Sequence, residues 1–306
     1  MGRLTAIVLG AAAGGGFPQW NCRCPVCRMA WDGDARVKRS TQASLAVTVD
    51  GQSFFLFNAS PDLREQIAAT PALQPPKKAQ DSGLRGSPIA AVVLTGAEID
   101  QIAGLLALRE RHAFTLYGSA ETLATVAANP MFSVLAPDLV ARRPCALGTP
   151  FWLADGLVAE LFMVPGKAPL YLEGDDPALA AETEANVGVE LACGARRLVF
   201  VPGCAAVTPA LHARLARADA VLFDGTLFAD DEMIASGTGA KTGRRMGHMP
   251  IDGAGGSLTA LADVPGQRVY MHINNTNPIR VAGAPERRKV EAAGWEIAED
   301  GFRIEL

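Results

Sequence analysis

The sequence predicts an α/β fold in which two β-sheets pack face to face and helices cover their outer faces. Short apolar strands flanked by turn residues recur along the chain, and helical segments lie between them. Hydrophobic residues make up 49% of the 306 residues and charged residues 20%, a globular composition that excludes disorder as the main state. No low-complexity linker divides the chain, so we expect a single domain over residues 1–306.

Hairpin signals account for many of the expected strands. Two apolar runs flank a short turn at three places, and two of these turns contain the dipeptide Asp-Gly, which favours a tight hairpin. The paired runs are 44–57 around Asp50-Gly51, 188–192 with 198–201, and 295–298 with 302–306 around Asp300-Gly301. Single strands are expected at 4–9, 90–94 and 220–223.

The helical segments separate these strands, and several begin after Asp, Ser or Pro, as helix N-termini commonly do. They are expected at 62–69, 100–110, 120–129, 209–216, 256–261 and 285–293. Two stretches read as long loops, a polar one at 74–88 and an acidic, alanine-rich one at 165–186. Such loops are either surface insertions or lids over a site.

The charge balance argues against a nucleic-acid partner. Lys and Arg number 28 against 32 Asp and Glu, which gives a formal charge of −4, and the basic residues are scattered. No apolar run reaches the roughly 18 residues that a membrane span needs. We interpret residues 4–9 as a buried strand that enters a glycine-rich loop rather than as part of a signal peptide. The protein is therefore expected to be cytoplasmic.

The most specific local pattern is a cluster of three thiols, Cys22, Cys24 and Cys27. Three thiolates within six residues can converge on one tetrahedral zinc ion, which needs a fourth ligand from elsewhere in the chain. Two alternatives remain open: Cys24 and Cys27 form a redox pair, or all three are inert turn residues. The uneven spacing of the six cysteines does not suggest a disulfide framework.

A second pattern lies at residues 94–105, where an apolar strand enters a loop that carries Glu98 and Asp100. Strand ends of this kind hold ligands and metals in α/β folds. The same two carboxylates could be a helix N-cap and its first-turn neighbour, and these residues alone favour that interpretation.

Three more apolar strands end in a potential ligand: Asp62, Asp224 and His272. One such strand end means little, but four in one chain favour a shared site. His248 lies in a glycine-flanked loop, and the remaining histidines, His112 and His212, are interpreted as surface residues in helical contexts. The glycine-rich loop at 14–16 lacks the spacing of a nucleotide-binding motif.

Residues 94–105 resemble the metal-binding turn of the metallo-β-lactamase superfamily, in which a strand runs into H-x-H-x-D-H and then a helix. In this chain Gly96 and Glu98 replace the first two histidines, Asp100 matches the aspartate, and Gln101 replaces the last histidine. Asp224 and His272 are similar to the later Asp and His of the superfamily.

Further stretches resemble one branch of that superfamily, the proteins of pyrroloquinoline quinone (PQQ) biosynthesis. These stretches are 10–24, 58–62, 164–167, 223–226, 246–248 and 272–278. The resemblance implies a four-layer αββα sandwich and a structural Zn²⁺ on Cys22, Cys24 and Cys27. It places the fourth zinc ligand at Asn275 and leaves His272 for the active site.

The resemblance also implies a role in making PQQ from a Glu and a Tyr of a small precursor peptide. The leading hypothesis is an Fe²⁺-dependent hydroxylase of the tyrosine-derived ring of the crosslinked Glu-Tyr precursor. Its iron would bind Glu98, Asp100 and His272, with Asp100, Asp224 and His248 assigned to catalysis. Expected partners are the precursor or its crosslinked product, other PQQ biosynthesis proteins and a second copy of the chain.

The replaced histidines leave alternatives open. Oxygen-activating iron sites usually have two histidines, whereas the predicted ligand set has one. Three explanations remain open: His248 supplies the second imidazole, the metal binds weakly, or catalysis needs little metal. The alternative function is a carrier that holds PQQ or its precursor for delivery to the periplasm. A third hypothesis is a metallohydrolase that trims the peptide.

Overall fold

The computed structural model describes residues 2–76, 84–175 and 178–306. Within these residues, two seven-stranded sheets pack against each other. The first sheet contains β1 (Thr5–Gly10), β2 (Ser44–Thr48), β3 (Phe54–Phe57), β4 (Ile89–Val93), β5 (Phe114–Gly118), β6 (Val140–Pro144) and β14 (Arg303–Glu305), in the order β14-β1-β2-β3-β4-β5-β6. The second contains β7 (Phe151–Ala154), β8 (Leu157–Gly166), β9 (Ala181–Cys193), β10 (Arg196–Val201), β11 (Ala220–Asp224), β12 (Gln267–Met271) and β13 (Glu296–Ile297), in the order β13-β12-β11-β10-β9-β8-β7.

Helices connect and cover the strands. The α-helices are α1 (Pro25–Trp31), α2 (Leu63–Ala69), α3 (Ile99–Ile102), α4 (Ala120–Ala128), α5 (Pro209–Leu215), α6 (Glu232–Ala235), α7 (Ser257–Ala260) and α8 (Pro285–Ala292). Short 3₁₀ helices lie at Pro71–Leu73, Ala103–Leu108, Pro130–Val134, Leu170–Leu172, Arg244–Met246 and Pro278–Arg280. In the described part of the chain, no helix is long and apolar enough to cross a membrane.

The strands are buried on both faces, which produces the four predicted layers. In β1, Ala6 and Val8 point into the core between the sheets, whereas Ile7 packs on the outer side, near α2. Phe57 and Phe200 join the two sheets, with their ring centroids 6.5 Å apart. The second sheet buries its outer face under α5, α7 and α8. The layered α/β sandwich expected from the sequence is therefore confirmed.

Parallel strands in both sheets place the candidate functional residues close together. β3, β4 and β5 run parallel in the first sheet, and β10, β11, β12 and β13 run parallel in the second. Because parallel strands share one carboxyl-terminal edge, the residues that follow them can meet.

The third predicted hairpin is wrong. β13 pairs with β12 in the second sheet, whereas β14 pairs with β1 in the first sheet. The Asp300-Gly301 turn therefore carries the chain from one sheet to the other. The Asp300 carboxylate accepts hydrogen bonds from Thr41, at 2.7 Å from its N–H and 2.8 Å from its hydroxyl.

The helix predicted at 100–110 is also shorter than expected. α3 ends at Ile102 and a 3₁₀ helix follows, because Gly104 packs directly on backbone. Its N–H donates to Ala59 O at 2.8 Å, and a Cβ there would lie 2.1 Å from Ser60 O. The loop expected at 165–186 is shortened at both ends by β8 and β9, and its residues 176–177 lie outside the described residues. The loop expected at 74–88 falls partly on residues 77–83, outside the described residues.

α6 buries a carboxyl group. Glu232 is 9% exposed and accepts hydrogen bonds from Thr276 Oγ1 at 2.5 Å and from the Phe228 N–H at 2.7 Å. Burial disfavours the charged form more than these bonds favour it, which raises the pKa of Glu232 to about 7. The folded protein therefore holds a proton here that the unfolded chain loses at lower pH.

We predict that Glu232→Gln flattens part of the pH dependence of stability. Because the pKa of Glu232 is raised in the folded protein, its proton stabilises the fold at acid pH, and this stabilisation is lost as the pH rises through about 7. The free energy of unfolding of the wild type should therefore fall by about 2 kcal/mol relative to that of the variant between pH 5 and pH 8. Urea unfolding at the two pH values measures this difference. Parallel losses in both proteins would contradict it.

Candidate functional site

The candidate site lies where the parallel strands of both sheets end. Asn58 follows β3 and Thr95 follows β4, and Asn58 Nδ2 donates to Thr95 Oγ1 at 2.8 Å. The Thr95 N–H donates back to Asn58 Oδ1 at 2.9 Å. From the second sheet, Asp224 ends β11 and His272 follows β12. These strand ends bring together three of the predicted residues: Asp100, Asp224 and His272.

A buried carboxylate organises the two histidines of the site. Asp224 has no exposed surface, and its Oδ2 lies 2.7 Å from His248 Nδ1 and accepts the Cys204 N–H at 2.8 Å. Burial alone would raise the pKa of Asp224, but the charge and hydrogen bond of His248 hold it below its usual value. The ionised carboxylate places a proton on His248 Nδ1. The imidazoles of His248 and His272 stack with centroids 5.3 Å apart.

The Thr226 hydroxyl lies among these groups. One donor atom each from Asp224, His248 and His272 lies within 4.8 Å of the others, a spacing compatible with metal binding. Thr226 Oγ1, however, donates to Asp224 Oδ1 at 2.6 Å and lies 3.1 Å from His248 Nδ1 and 2.8 Å from His272 Nδ1. Because the hydroxyl fills this space, the Nδ1 side of the imidazoles does not fit a metal ion.

His272 presents its other nitrogen to Asp100. Nε2 lies 2.9 Å from Asp100 Oδ2, and the two side chains are only 12% and 13% exposed. Burial lowers the pKa of His272, but the hydrogen bond and charge of Asp100 outweigh burial and raise it overall. His272 also has a left-handed backbone, φ 54°, which costs a non-glycine residue about 1 kcal/mol or more. Such strain is typical of functional positions.

Glu98 is held by a strap, residues 167–173. Its carboxylate accepts from Lys167 Nζ and from the Leu170 N–H, both at 3.2 Å. The Tyr171 hydroxyl donates to Ala97 O at 2.6 Å, which fastens the strap to the same turn. Among the described residues, Glu98 makes no hydrogen bond to the other two predicted iron ligands.

Further charges fix the strap. Lys167 Nζ also lies 2.6 Å from Glu173 Oε1, and Arg245 lies 3.3 Å from Glu173 Oε2. Burial raises the pKa of Glu173, but the hydrogen bond and charge of Lys167 keep it below its usual value. The result is an alternating chain of two cations and two carboxylates, with Glu98 at one end.

Packing accounts for the absence of the first of the superfamily histidines from the turn. A Cβ at Gly96 would lie 2.8 Å from Ala185 O of the approaching strand β9, so no side chain can occupy the first histidine position. Gln101 turns back into its own helix, where its Oε1 accepts the Glu98 N–H at 3.1 Å. Glu98 is the N-cap residue of α3 and Asp100 lies in its first turn, as the capping alternative predicted.

Three other candidates lie elsewhere. Asp62 Oδ2 accepts hydrogen bonds from the backbone and side chain of Gln42, at 2.8 and 3.0 Å. His212 lies on α5 and pairs with Asp263 at 2.8 Å, as expected of a surface histidine. His112 is partly buried in the connection before β5 rather than in a helix, contrary to the sequence prediction.

The three clustered cysteines converge. Donor atoms of Cys22, Cys24 and Cys27 lie within 4.8 Å of one another, and none of the three is in a disulfide. Asn275, the predicted fourth ligand, places Nδ2 3.3 Å from the sulfurs of Cys22 and Cys27. Its backbone oxygen lies 3.8 Å from Cys24 Sγ. Rotating the amide would turn the side-chain oxygen toward the same sulfurs.

The pKa values of Cys24 and Cys27 are shifted in opposite directions. The hydrogen bond from Cys24 lowers the pKa of Cys27 to about 7, and the same bond raises the pKa of Cys24. A thiolate at neutral pH is what a soft metal ion needs as a ligand. The donor set therefore fits zinc.

Sequence reasoning missed two residues of the site. Thr226 has a local signal, because a hydroxyl two residues after an Asp commonly bonds back to that carboxylate. Asn186, in strand β9, has no such signal. It reaches the site because β9 bridges to Gly96 and because Gly166 and Gly203 leave room for its side chain.

Comparison with known proteins agrees with this geometry. Residues 54–273 match the profile described as the Beta-lactamase superfamily domain, and with its two-sheet fold and strand-end site the chain belongs to the metallo-β-lactamase superfamily. The chain is 55% identical over 304 residues to coenzyme PQQ synthesis protein B of Methylobacterium nodulans, covering 99% of this chain and all of that protein. The Rhizobium meliloti protein of the same name is also 55% identical, covering 99% of this chain and 98% of its own length. The chain therefore belongs to the coenzyme PQQ synthesis protein B family.

Solved structures extend the comparison. The structure of Zn²⁺-bound PqqB from Methylobacterium extorquens is 51% identical and superposes with a TM-score of 0.96, covering 99% of this chain and 100% of that one. A diphosphatase of the PhnP family shares the fold at 19% identity and a TM-score of 0.68, over 99% of this chain and 97% of its own.

We predict that Thr226→Val destabilises the fold by about 2 kcal/mol, because the buried Asp224 and His272 lose a partner without regaining water. Thr226→Ser keeps the hydroxyl and should cost about 1 kcal/mol or less. Urea unfolding of the three proteins checks the order. Equal stability of the Val and Ser variants would show that the hydroxyl contributes nothing.

Proposed function

We propose that this chain acts in PQQ biosynthesis as an Fe²⁺- and O₂-dependent hydroxylase of the tyrosine-derived ring of the crosslinked Glu-Tyr precursor. The observation that carries the proposal is the contact between Asp100 and His272 Nε2, two iron-compatible donors 2.9 Å apart at the carboxyl-terminal strand ends. The membership of the PQQ synthesis protein B family supports the pathway.

Asp100 Oδ2 and His272 Nε2 would hold iron once the proton between these two atoms is displaced, while the inner imidazole nitrogen of His272 stays beside Thr226. Glu98 would act as the third ligand only by exchanging its bonds to Lys167 and Leu170. Fe²⁺, when bound, supplies the capacity to activate O₂. Ring hydroxylation adds one oxygen atom of O₂ to a C–H bond and releases the other as water, which consumes two electrons from an external reductant.

The remaining residues orient and handle protons. The Asp224 carboxylate accepts the proton of His248 Nδ1, which fixes the imidazole so that Nε2 is the nitrogen that can exchange a proton with the substrate. Thr226 fixes the ring planes of both histidines. The strap holds the Glu98 carboxylate through Lys167 and Leu170.

The test is single-turnover hydroxylation. Protein loaded with Fe²⁺ is given the crosslinked precursor, ascorbate and ¹⁸O₂, and the product is weighed by mass spectrometry. We expect incorporation of one ¹⁸O atom and a rate at least ~100-fold lower for Asp100→Asn, because a ligand is lost. His212→Gln, a histidine outside the site, should match the wild type.

Two outcomes would contradict the proposed hydroxylase activity. Cleavage with added water and no ¹⁸O would indicate the metallohydrolase, whose reaction also leaves ascorbate unused. Tight binding of precursor or PQQ without turnover, unchanged in Asp100→Asn, would indicate the carrier. The carrier has one observation in its favour: packing at Gly96 and capping by Gln101 remove two metal ligands from the turn.

We further propose that Cys22, Cys24, Cys27 and Asn275 hold a structural Zn²⁺, as the convergence of three thiols supports. The zinc-bound PqqB from Methylobacterium extorquens is consistent with this assignment. A cytoplasmic location, other PQQ biosynthesis proteins as partners and a homodimer remain predictions.

We predict one zinc per chain in the purified protein by elemental analysis, and loss of that zinc in Cys27→Ser. Cys145→Ser, a cysteine outside the cluster, should retain it. The Cys27 variant should also unfold at lower temperature, because metal binding contributes to folding stability. Full zinc content in Cys27→Ser would place the ion elsewhere.

A further inference from the structure

Arg280 is a buried cation that makes no ion pair within the described part of the chain. It is 8% exposed, and its hydrogen bonds go to backbone oxygens, from Nε to Asn274 O at 2.9 Å and from Nη2 to Ile273 O at 2.5 Å. Burial lowers the pKa of Arg280 to about 10, although the charge of Asp300 opposes this effect. The surroundings of the guanidinium therefore do not fully replace its lost hydration.

The guanidinium of Arg280 has unused hydrogen-bond donors. A guanidinium carries five N–H groups in one plane, and two of them are taken by the backbone oxygens. The other three, on Nη1 and Nη2, have no partner among the described residues, and Nη1 is not fully buried. The Phe17 ring covers a face of the guanidinium at 4.5 Å, which leaves the outer edge of the plane available. A negatively charged acceptor fits this edge.

Arg280 lines a cavity of about 20 Å³ between the segment that precedes β2, the end of β13 and α8. A space of this size holds one oxygen-sized atom. Three further cations line the cavity, Lys38, Arg39 and Arg287, against one carboxylate, Glu299. The Lys38 side chain is 71% exposed and marks the outer end of the cavity.

Carboxylates pair with only two of these four cations. Lys38 Nζ lies 2.5 Å from Glu299 Oε2, and Arg287 Nε lies 2.8 Å from Glu291 Oε1. The other two cations have no ion pair among the residues that the structure describes. The cavity wall therefore carries positive charge that the carboxylates around it do not balance.

We propose that this cavity binds a small oxyanion of the phosphate class. One oxygen enters beside the unused edge of Arg280, because guanidinium N–H groups match phosphate oxygens in geometry and charge. The rest of the ion lies at the outer end, beside Lys38 and Arg287. Two unpaired positive charges favour a divalent oxyanion over chloride. The inference does not depend on the proposed hydroxylase activity.

The bound anion acts on the strand end that carries His272. Arg280 bonds to the backbone oxygens of Ile273 and Asn274, the two residues that directly follow His272. An anion that holds the guanidinium in place therefore also holds this backbone. Because the site exists only in the folded protein, the anion stabilises the fold by mass action.

The test is calorimetric titration of the purified protein with sodium phosphate, in Tris buffer with about 0.1 M sodium chloride to screen weak surface attraction. We expect one phosphate to bind per chain. Glu299→Gln removes the carboxylate from the cavity and frees Lys38, so this variant should bind phosphate about fivefold more tightly. Lys38→Met leaves Glu299 unpaired beside the anion and should bind phosphate about fivefold more weakly.

Asp252→Asn is the matched control. Asp252 lies 2.6 Å from Lys289 in a similar surface ion pair, but this pair is outside the cavity. The variant changes the net charge by as much as Glu299→Gln does, so it should keep the wild-type affinity. Arg280→Gln should abolish binding, and the Glu299 and Lys38 variants decide the question if that variant fails to fold.

Three outcomes would overturn the inference. The first is that phosphate does not bind against the chloride background, and the second is that Glu299→Gln and Asp252→Asn have the same affinity. The third is loss of binding in Asp100→Asn, because the phosphate would then bind at the candidate functional site. The titration needs neither iron nor turnover, so its result is independent of the hydroxylation experiment.

Discussion

The architecture of the site depends on the charge of Asp224. An ionised carboxylate with no exposed surface is stable only when its oxygens are fully bonded, because a buried charge loses its hydration. Its partners come from three places: the Cys204 N–H after β10, Thr226 after β11, and His248 in a later loop. The hydrogen bonds to this one carboxylate thereby fix the positions of three loops, and Thr226 also contacts His272 and so fixes its position.

The sequence predicted those parts of the site that follow from strand ends. Asp100, Asp224 and His272 lie where parallel strands finish, and the cysteine cluster converges as its spacing suggested. The contacts of Glu98 could not be predicted, because its partner Lys167 is distant in the chain and arrives on a strap. The Asp300-Gly301 turn was detectable, but a turn signal does not say that its two strands belong to different sheets.

Packing also decides which superfamily features this chain can keep. Strand β9 approaches the turn so closely that Gly96 must lack a side chain, and the same approach delivers Asn186 to the site. The absence of a histidine at position 96 and the presence of the Asn186 amide at the site thus both follow from the close approach of β9 to the turn. Sequence patterns do not show such contacts, since β9 follows the turn by about 90 residues and carries no motif at this point.

The contact between the cysteine cluster and Asn275 joins parts of the chain that are 248 to 253 residues apart. A zinc ion held by both sides, as proposed, would close a loop of that length, and closing a long loop lowers the conformational entropy of the unfolded chain more than closing a short one. With zinc bound, the cysteine cluster would therefore act as a reversible crosslink between distant parts of the chain. Because Asn275 lies three residues after His272, this crosslink closes at the strand end that carries the active-site imidazole.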